Sequence, residues 1–282
     1  MKRWISFLFI LIFVFPAGIY ADSNPPMRVH FIDVGHGDSV LIETPKGQSI
    51  LIDGGQPDAG PKLVEYLKQT NVEEIDLMVA THPHFDHIGG LIEVMKNFPV
   101  KQLIDNGRAD STRTYAAYLW VILREEIPVK TAKEKERLQL DDKLDIQVLN
   151  AGGDIESNNQ SSVVLKVSYD EIDFLFMSDV EAEQEEDIRR KYDVEAEIFK
   201  AAHHGFSSSS MKFLKEVNSQ AAVITYSQAN GYGNPEDRVI KNLGKLKTQI
   251  YSTAKSGNVV VETNGKEYSV MPEFEPWIEM ER

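Results

Sequence analysis

The stretch Thr81-His82-Pro83-His84-Phe85-Asp86-His87 decides how this chain is interpreted. It follows the apolar run Ile75–Ala80, which predicts a buried β-strand. Alternate residues of an extended backbone point the same way, so we expect His82 and His84 to grip one metal ion together. Asp86 and His87 lie past the turn, where they can face a second ion. Imidazole and carboxylate are ligands that suit zinc and related metals. The alternative is a chance polar loop.

The histidines of the chain are not scattered. Five of the seven fall into two clusters, three of them in the stretch above and two at His203-His204. The second pair ends the predicted strand Ile198–Ala202, and a merely polar strand end is the alternative interpretation.

Working outward, short apolar runs alternate with helical patterns along nearly the whole chain. The 282 residues allow one large domain or two small ones. Strands are predicted at 28–34, 39–43, 49–53, 75–80, 100–104, 138–140, 144–149, 163–169, 174–177, 198–202, 222–226, 249–253 and 259–270, and helices at 61–68, 91–97, 112–126, 181–192, 211–217 and 235–246. Two β-rich halves with helices between strands favour one α/β domain over residues 22–282, a four-layer αββα sandwich of two sheets with helices outside.

The first residues have the layout of a secretory signal peptide. Met1-Lys2-Arg3 is basic, Trp4–Phe15 is almost wholly apolar, and Ala21 is a small residue at the expected cleavage point. We therefore predict a signal peptide at residues 1–21, a secreted or cell-envelope location, and no membrane span after cleavage. An uncleaved anchor is the alternative. The chain has no cysteine, which excludes a lipoprotein anchor, disulfides and thiolate ligands.

The charge balance argues against a general nucleic-acid binder. The net charge is −14, and losing residues 1–21 removes Lys2 and Arg3 and no acid. Such a surface repels polyanions, so no stable nucleic-acid complex is expected, and a phosphate substrate must be attracted locally by metal ions. The oligomeric state is left open.

Further motifs occur in a fixed order around the first stretch. They are Phe31–Asp38, Leu51–Gly55, Thr81–Gly90, Met177-Ser178-Asp179, Lys200–Gly205 and Gly231–Pro235. Together they resemble the metallo-β-lactamase superfamily, and within it the hydrolase domain of the ComEC-type competence proteins and their stand-alone secreted relatives. The resemblance covers about Arg28 to Glu267.

The resemblance implies a role for each candidate ligand. His82 and His84 would hold one divalent ion, Asp86 and His87 the other, and Asp179 would bridge the two. We favour His204 as the last ligand of the second ion and His203 as the residue facing substrate, with the exchanged assignment left open. Zinc is the expected metal and manganese the alternative. Asp86 and His203 are the predicted catalytic residues.

Other residues are predicted to contact substrate or to support the ligands. They are Asp33, His36, Asp38, Asp53, Asn159, Ser207 and Asn234. The resemblance gives Asp53 a role in ordering the histidine loop, and Asn159 stands near a position where many members have a histidine. Asn234 and His36 also depart from the usual His and Gln. Turn and capping chemistry is the alternative for Asp33, His36, Asp38, Asn159 and the serines after His204-Gly205.

The predicted activity is phosphodiester hydrolysis, in which a bridging hydroxide at a dinuclear metal centre attacks phosphorus. Extracellular DNA or a small or envelope phosphodiester would be the substrate. One alternative is a hydrolase of a carbonyl substrate such as a lactone, lactam or thioester. The other is a non-enzymatic secreted binding protein on the same fold.

Overall fold

The structure, a computed structural model, describes residues 25–153, 157–229, 231 and 235–274. The strands are β1 (Met27–Phe31), β2 (Val40–Glu43), β3 (Ser49–Ile52), β4 (Leu77–Ala80), β5 (Leu103–Asp105), β6 (Val129–Thr131), β7 (Arg137–Leu138), β8 (Leu144–Asn150), β9 (Val164–Tyr169), β10 (Ile172–Phe176), β11 (Ile198–Lys200), β12 (Ala221–Ile224), β13 (Gln249–Ser252), β14 (Val259–Thr263) and β15 (Tyr268–Pro272). The helices are α1 (Gly60–Gln69), α2 (Phe85–Ile88), α3 (Leu91–Asn97), α4 (Arg113–Arg124), α5 (Ala182–Lys191), α6 (Met211–Val217), α7 (Asp237–Lys245) and α8 (Thr253–Ser256).

The strands form two sheets. One has the order β15-β14-β1-β2-β3-β4-β5-β6, and the other has the order β13-β12-β11-β10-β9-β8-β7. Strands β3 to β6 run parallel to one another, as do β10 to β13. The halves of the chain are not strictly separate, because β14 and β15 return to the first sheet and pair beside β1.

Three apolar layers show that the sheets pack face to face with helices outside. The central layer joins side chains of both sheets, such as Phe31 and Phe174. A second layer packs α1, α3 and α4 on the first sheet, and a third packs α5, α6 and α7 on the other. Burial of these faces supplies the driving force for the fold. The predicted αββα sandwich is confirmed.

The parallel strands gather the polar motifs at one edge of the sandwich. Strand β3 ends just before Asp53, β4 just before Thr81, and β10 shortly before Asp179. Strand β11 leads into His203-His204, and β12 into Thr225. The carboxyl ends of parallel strands share one edge, which is where such folds place their sites.

One sequence expectation needs correction, and two others lie outside the described residues. The predicted strand 259–270 is two strands, because Asn264-Gly265 lies in a turn and Gly265 has a φ of 88°. The signal peptide at 1–21 and Asn234 fall on residues that are not described, so both stay predictions. No helix in the described part of the chain is long and apolar enough to cross a membrane.

Candidate metal centre

A buried carboxylate fixes the strand end that carries the histidine motif. Asp53 accepts hydrogen bonds from the Thr81 backbone N–H at 2.9 Å and from its hydroxyl at 2.7 Å. Its Oδ2 also lies 2.8 Å from His87 Nδ1. Since Nδ1 is engaged by Asp53, the other ring nitrogen of His87 is left for a ligand.

The first ligand set lies directly after β4. His82 Nε2 is 3.0 Å from His84 Nδ1, and it is 3.9 Å from Asp179 Oδ2. These three side chains come from both sheets of the sandwich, because Asp179 follows β10. His82 Nε2 thus lies near both His84 and Asp179. Among the described residues, the groups of ligand atoms within 4.8 Å of one another place His82 with His87 and Asp179 and do not include His84.

The second ligand set lies on the other side of Asp179. Its Oδ2 is 3.3 Å from His87 Nε2 and 3.7 Å from His204 Nε2. His204 Nε2 is also 3.6 Å from Asp86 Oδ2, which lies 3.2 Å from His36 Nε2. Groups of ligand atoms within 4.8 Å of one another include His36 with Asp86 and His204, and His82 with His87 and Asp179.

The charges of this cluster are strongly coupled. Burial opposes ionisation of Asp179, but His87 and His204 hold its pKa well below the usual value. Burial also opposes protonation of His204, yet Asp179 and Asp38 raise its pKa to about 10. Burial lowers the pKa of His82 well below 6.5. The carboxylates around His87 and His204 thus favour the protonated form of both rings. The same negative potential would favour a bound metal cation.

Unpartnered polar atoms test whether metal ions fit here. Among the described residues, the buried atoms His87 Nε2, His204 Nε2 and Asp179 Oδ1 have no hydrogen-bond partner. Leaving such atoms buried and unpaired is costly, and native proteins satisfy them. All three belong to the ligand sets, and all three are donor atoms typical of zinc. The residues present thus fit a pair of divalent ions.

Four residues at these turns have a left-handed backbone conformation. Asp53, Ser178, His203 and His204 have positive φ values of 57°, 47°, 49° and 54°. Non-glycine residues adopt this region at a cost that the surrounding structure must offset. One such contact is the 2.8 Å hydrogen bond from the His203 N–H to the Ser178 carbonyl, which joins the turns after β10 and β11.

The loop between β1 and β2 lies directly on the histidine motif. Gly37 has a φ of 114°, and a Cβ there would come within 2.0 Å of the Asp86 carbonyl oxygen. The next residue, Asp38, donates its N–H to that oxygen at 3.3 Å, and its own carbonyl accepts from Gly55 at 2.8 Å. This loop therefore positions Asp86 through the backbone.

A buried ion pair lies behind the second ligand set. Lys200 and Asp38 are 2% and 4% exposed, and the lysine Nζ donates to Asp38 Oδ2. Asp38 Oδ1 accepts from the Thr225 hydroxyl and lies 3.3 Å from His204 Nδ1. His204 Nδ1 is also 2.9 Å from the Thr225 carbonyl. Both contacts call for a proton on Nδ1, which leaves Nε2 as the ligand atom.

An open cleft of about 310 Å³ leads to the ligand sets. The described residues that line it are His36, His84, Phe85, Asp86, Asn159, Asp179, His203, His204 and Phe206. Asn159 Nδ2 is 3.4 Å from His203 Nε2, which is 3.7 Å from Asp179 Oδ2. Burial lowers the pKa of His203, so its ring is neutral at pH 7.

Comparison with known proteins identifies the family to which the chain belongs. The profile of the metallo-beta-lactamase superfamily matches residues 32–226. The chain belongs to the metallo-beta-lactamase superfamily. The matched range begins in the loop after β1, which contacts Asp86, and ends just after Thr225, so it contains every predicted metal ligand.

Curated relatives from this superfamily include competence-related proteins. ComE operon protein 3 of Bacillus subtilis is 25% identical over 91% of this chain and 36% of its own length. Recombination protein 2 of Haemophilus influenzae is 25% identical over 90% of this chain and 32% of its length. Competence protein ComA of Neisseria gonorrhoeae is 26% identical over 80% of the chain and 30% of its length. The chain thus spans about a third of the length of these relatives.

The fold is also that of a solved structure from Parabacteroides distasonis that is named as a metal-dependent hydrolase. The TM-score is 0.50 with 13% identity, and the match covers 80% of this chain and 92% of that one. The predicted resemblance to this superfamily and to its competence-related members is confirmed. The family and the donor set make the chain a metal-dependent hydrolase of the metallo-beta-lactamase superfamily.

The structure brings most predicted site residues together. The six predicted ligands lie together at this edge of the sandwich, Asp53 and Asp38 contact His87 and His204 from behind, and His36, Asn159 and His203 line the cleft. Two further predicted residues belong to none of these groups. Asp33 lies in a neighbouring groove, where Lys62 donates to it at 3.1 Å, and Ser207 is exposed.

Two backbone N–H groups of the serine segment after His204 are occupied within the protein. Those of Ser209 and Ser210 already donate to the buried carboxylate of Glu185, at 2.5 Å and 3.2 Å. The Ser210 hydroxyl caps α6 by accepting from the Phe213 N–H. The capping interpretation therefore holds at Ser210.

Sequence reasoning missed several residues of the centre. Lys200 and Thr225 bind Asp38, and Ser178 donates its hydroxyl to Thr81 Oγ1 at 2.7 Å. Phe85 and Phe206 line the cleft but carry no ligand chemistry. Their positions in the sequence could have indicated them. Ser178, Phe85 and Phe206 lie within two residues of a predicted ligand, and Lys200 and Thr225 lie at the ends of strands that lead to the site.

Proposed function

We propose that this chain is a secreted phosphodiesterase that uses two divalent ions, with zinc as the expected metal and manganese as the alternative. One observation carries the proposal: Asp179 Oδ2 lies within 4 Å of ring nitrogens from His82, His87 and His204. A single carboxylate thus stands between two ligand sets, an arrangement typical of two-metal hydrolysis of phosphate esters.

Each set would hold one ion. His82, His84 and Asp179 would bind the first, and Asp86, His87, Asp179 and His204 the second. When bound, a pair of divalent ions supplies Lewis acidity at the phosphoryl oxygens and a nucleophile at neutral pH. Asp53 and Asp38 orient the rings of His87 and His204, so that the ligand nitrogens point inward before substrate arrives.

His203 is the proposed residue for the departing oxygen. Its Nε2 faces Asn159 and Asp179 in the cleft, and its side chain is partly exposed. As a neutral imidazole it carries one N–H, which can donate a hydrogen bond to the leaving group as negative charge grows there. Asn159 Oδ1, buried and without a partner among the described residues, can accept from that ring or from substrate.

Two further lines support the proposal. Relatives named for competence and recombination match nearly the whole chain, and both words refer to processes on DNA. The basic start and apolar run of residues 1–21 support export, so the substrate would be extracellular DNA or another phosphodiester at the cell envelope. Amino-terminal sequencing of protein recovered from the medium and from membranes tests the export step.

The activity is tested by metal analysis together with hydrolysis of bis(p-nitrophenyl) phosphate, with and without a chelator. We expect about two ions per chain and cleavage that the chelator abolishes. Bound metal with hydrolysis of lactones or thioesters but not of phosphodiesters would favour the carbonyl alternative. A pure, folded chain that takes up no zinc or manganese would favour the binding protein.

A carboxylate variant separates the centre from the fold. Asp179→Asn should lose metal and activity together while keeping the circular dichroism spectrum, since Asp179 lies at the site and not in the apolar layers. Asp142→Asn is the matched control, because that carboxylate is exposed and pairs with Lys46 on the surface. A fully active Asp179→Asn enzyme would exclude the two-metal mechanism.

A further inference from the structure

Two phenylalanines are exposed at the cleft although most large apolar side chains are buried. Phe85 is 39% exposed and Phe206 is 38% exposed, and both line the cleft above the ligand sets. The described aromatic residues of the inner layers, such as Phe31 and Phe174, are fully buried. Apolar surface exposed beside polar ligands marks a place where a partner molecule binds.

The rings are held close to the metal ligands by the chain itself. Phe85 stands between His84 and Asp86 and begins α2, whose other residues are buried. Phe206 follows His204 by two residues, and its N–H donates to the His203 carbonyl at 2.8 Å. The ring of Phe206 meets that of His203 edge-on, with centroids 5.5 Å apart. The backbone that carries each ring is therefore fixed within two residues of a predicted ligand.

We propose that Phe85 and Phe206 form a stacking subsite for an unpaired nucleobase attached to the phosphodiester that is cleaved. The inference rests on the proposed phosphodiesterase activity and names its substrate class. A phosphate held at the ligand sets places its substituent within reach of these rings, and flat aromatic bases stack on such side chains without regard to sequence.

The chemistry of the lining favours a base over a quaternary ammonium group such as choline. Sites for such cations use aromatic cages, in which tryptophan is the strongest partner. Here both rings are phenylalanine. The carboxylates among the described lining residues, Asp86 and Asp179, are the predicted metal ligands, so no other described carboxylate of the lining would pair with the cation.

The subsite implies a preference for single strands. A base inside a duplex has both faces covered, so it must leave its stack before it can pack on a side chain. The cleft volume of about 310 Å³ is at the small end of the range for ligand sites, which suits one nucleotide and not a duplex. The strongly acidic balance of the chain also disfavours electrostatic attraction of a long duplex.

Phosphodiesters with one shared leaving group test the subsite. The substrates are the p-nitrophenyl phosphate diesters of thymidine, methanol and choline, which differ only in the second substituent. We expect the thymidine ester to exceed the methyl ester in kcat/KM by about 10-fold, a typical gain for one stacked base. Equal values for the methyl and thymidine esters would overturn the subsite while leaving the phosphodiesterase intact. Failure to cleave any of the three would overturn both.

Variants assign the preference to the rings. Phe206→Leu and Phe85→Leu keep an apolar side chain and remove the π face, and should bring the ratio of thymidine to methyl ester toward one. Phe206→Trp should keep it. Phe274→Ala is the control, since that phenylalanine is 59% exposed and is not among the described lining residues. A ratio unchanged in both leucine variants would overturn the assignment.

A second measurement on the unaltered protein does not depend on how the variants fold. An oligonucleotide is compared as a single strand and as a blunt duplex at one salt concentration. Faster cleavage of the single strand supports the subsite. Equal rates, or a choline ester cleaved faster than the thymidine ester, would overturn it.

Discussion

Removing the amino group of Lys200 should destabilise the whole domain more than any surface change. The side chain is buried between the sheets and donates to Asp38 at the back of the second ligand set. Lys200→Met keeps a similar volume and length, so the packing of the central layer is largely retained. What the variant changes is the electrostatic partner of Asp38.

The size of the loss in unfolding free energy depends on which contacts Asp38 retains in the variant. It loses the Lys200 ammonium group but retains the Thr225 hydroxyl and the contact to His204 Nδ1. Breaking a buried pair costs about 3–5 kcal/mol, and the remaining contacts place this case near the lower end, at about 3 kcal/mol. The pKa of Asp38 lies below its usual value although burial opposes ionisation, and Lys200 is the foremost group that lowers it. Without the lysine, protonation of Asp38 at lower pH should recover part of the loss.

Urea unfolding in the presence of chelator measures this directly. The free energy of unfolding at neutral pH should fall by about 3 kcal/mol with an unchanged m-value. The double variant Asp38→Asn/Lys200→Met should recover most of it, since no charge is left unpaired. Lys46→Met breaks an exposed pair with Asp142 and should leave the urea midpoint unchanged. A loss below about 1 kcal/mol, or a double variant no better than the single one, would refute the reasoning.

Three other changes have clear expectations. Burial raises the pKa of Glu185 to about 7, so its stabilising contribution is complete below about pH 4.5 and is lost as pH rises through 7. The advantage of the wild type over Glu185→Gln in urea should shrink by about 3 kcal/mol across that window, and parallel pH profiles would contradict this. Gly37→Ala places a Cβ 2.0 Å from the Asp86 carbonyl oxygen and should cost at least about 2 kcal/mol in melting experiments, whereas Gly47→Ala meets nothing within 4 Å and should cost less. Thr81→Val should weaken zinc binding by about 10-fold in chelator competition, and an unchanged affinity would remove its role in orienting ligands.

Sequence reasoning recovered what depends on local pattern. The helices Leu91–Asn97 and Met211–Val217 match their predicted bounds, because apolar residues at helical spacing end at clear turns. The metal ligands stood out because several imidazoles and carboxylates follow apolar strands. Short or edge elements were missed. Strand β6 has three exposed residues, and no apolar alternation marks it.

What sequence could not supply is which charges become buried. Lys200 meets a carboxylate 162 positions earlier in the chain, so its burial depends on how the two sheets come together. Glu185 belongs to an acidic run that predicts a solvated helix start, yet it is 1% exposed because the start of α6 brings two N–H donors to it. Long-range pairing decides both cases, and no local window contains it.

The same long-range pairing links the stability of the fold to the geometry of the site. Asp38 contacts Asp86 through its backbone and His204 and Lys200 through its carboxylate, so one residue joins ligands from both sheets. A chain without cysteine has no disulfide to hold these turns, and several carry positive φ values. The strained turns persist because the buried ion pair and the carboxylate behind His87 hold them. An ion bound at the ligand sets would then stabilise the sandwich as a whole, since its ligands follow strands of both sheets.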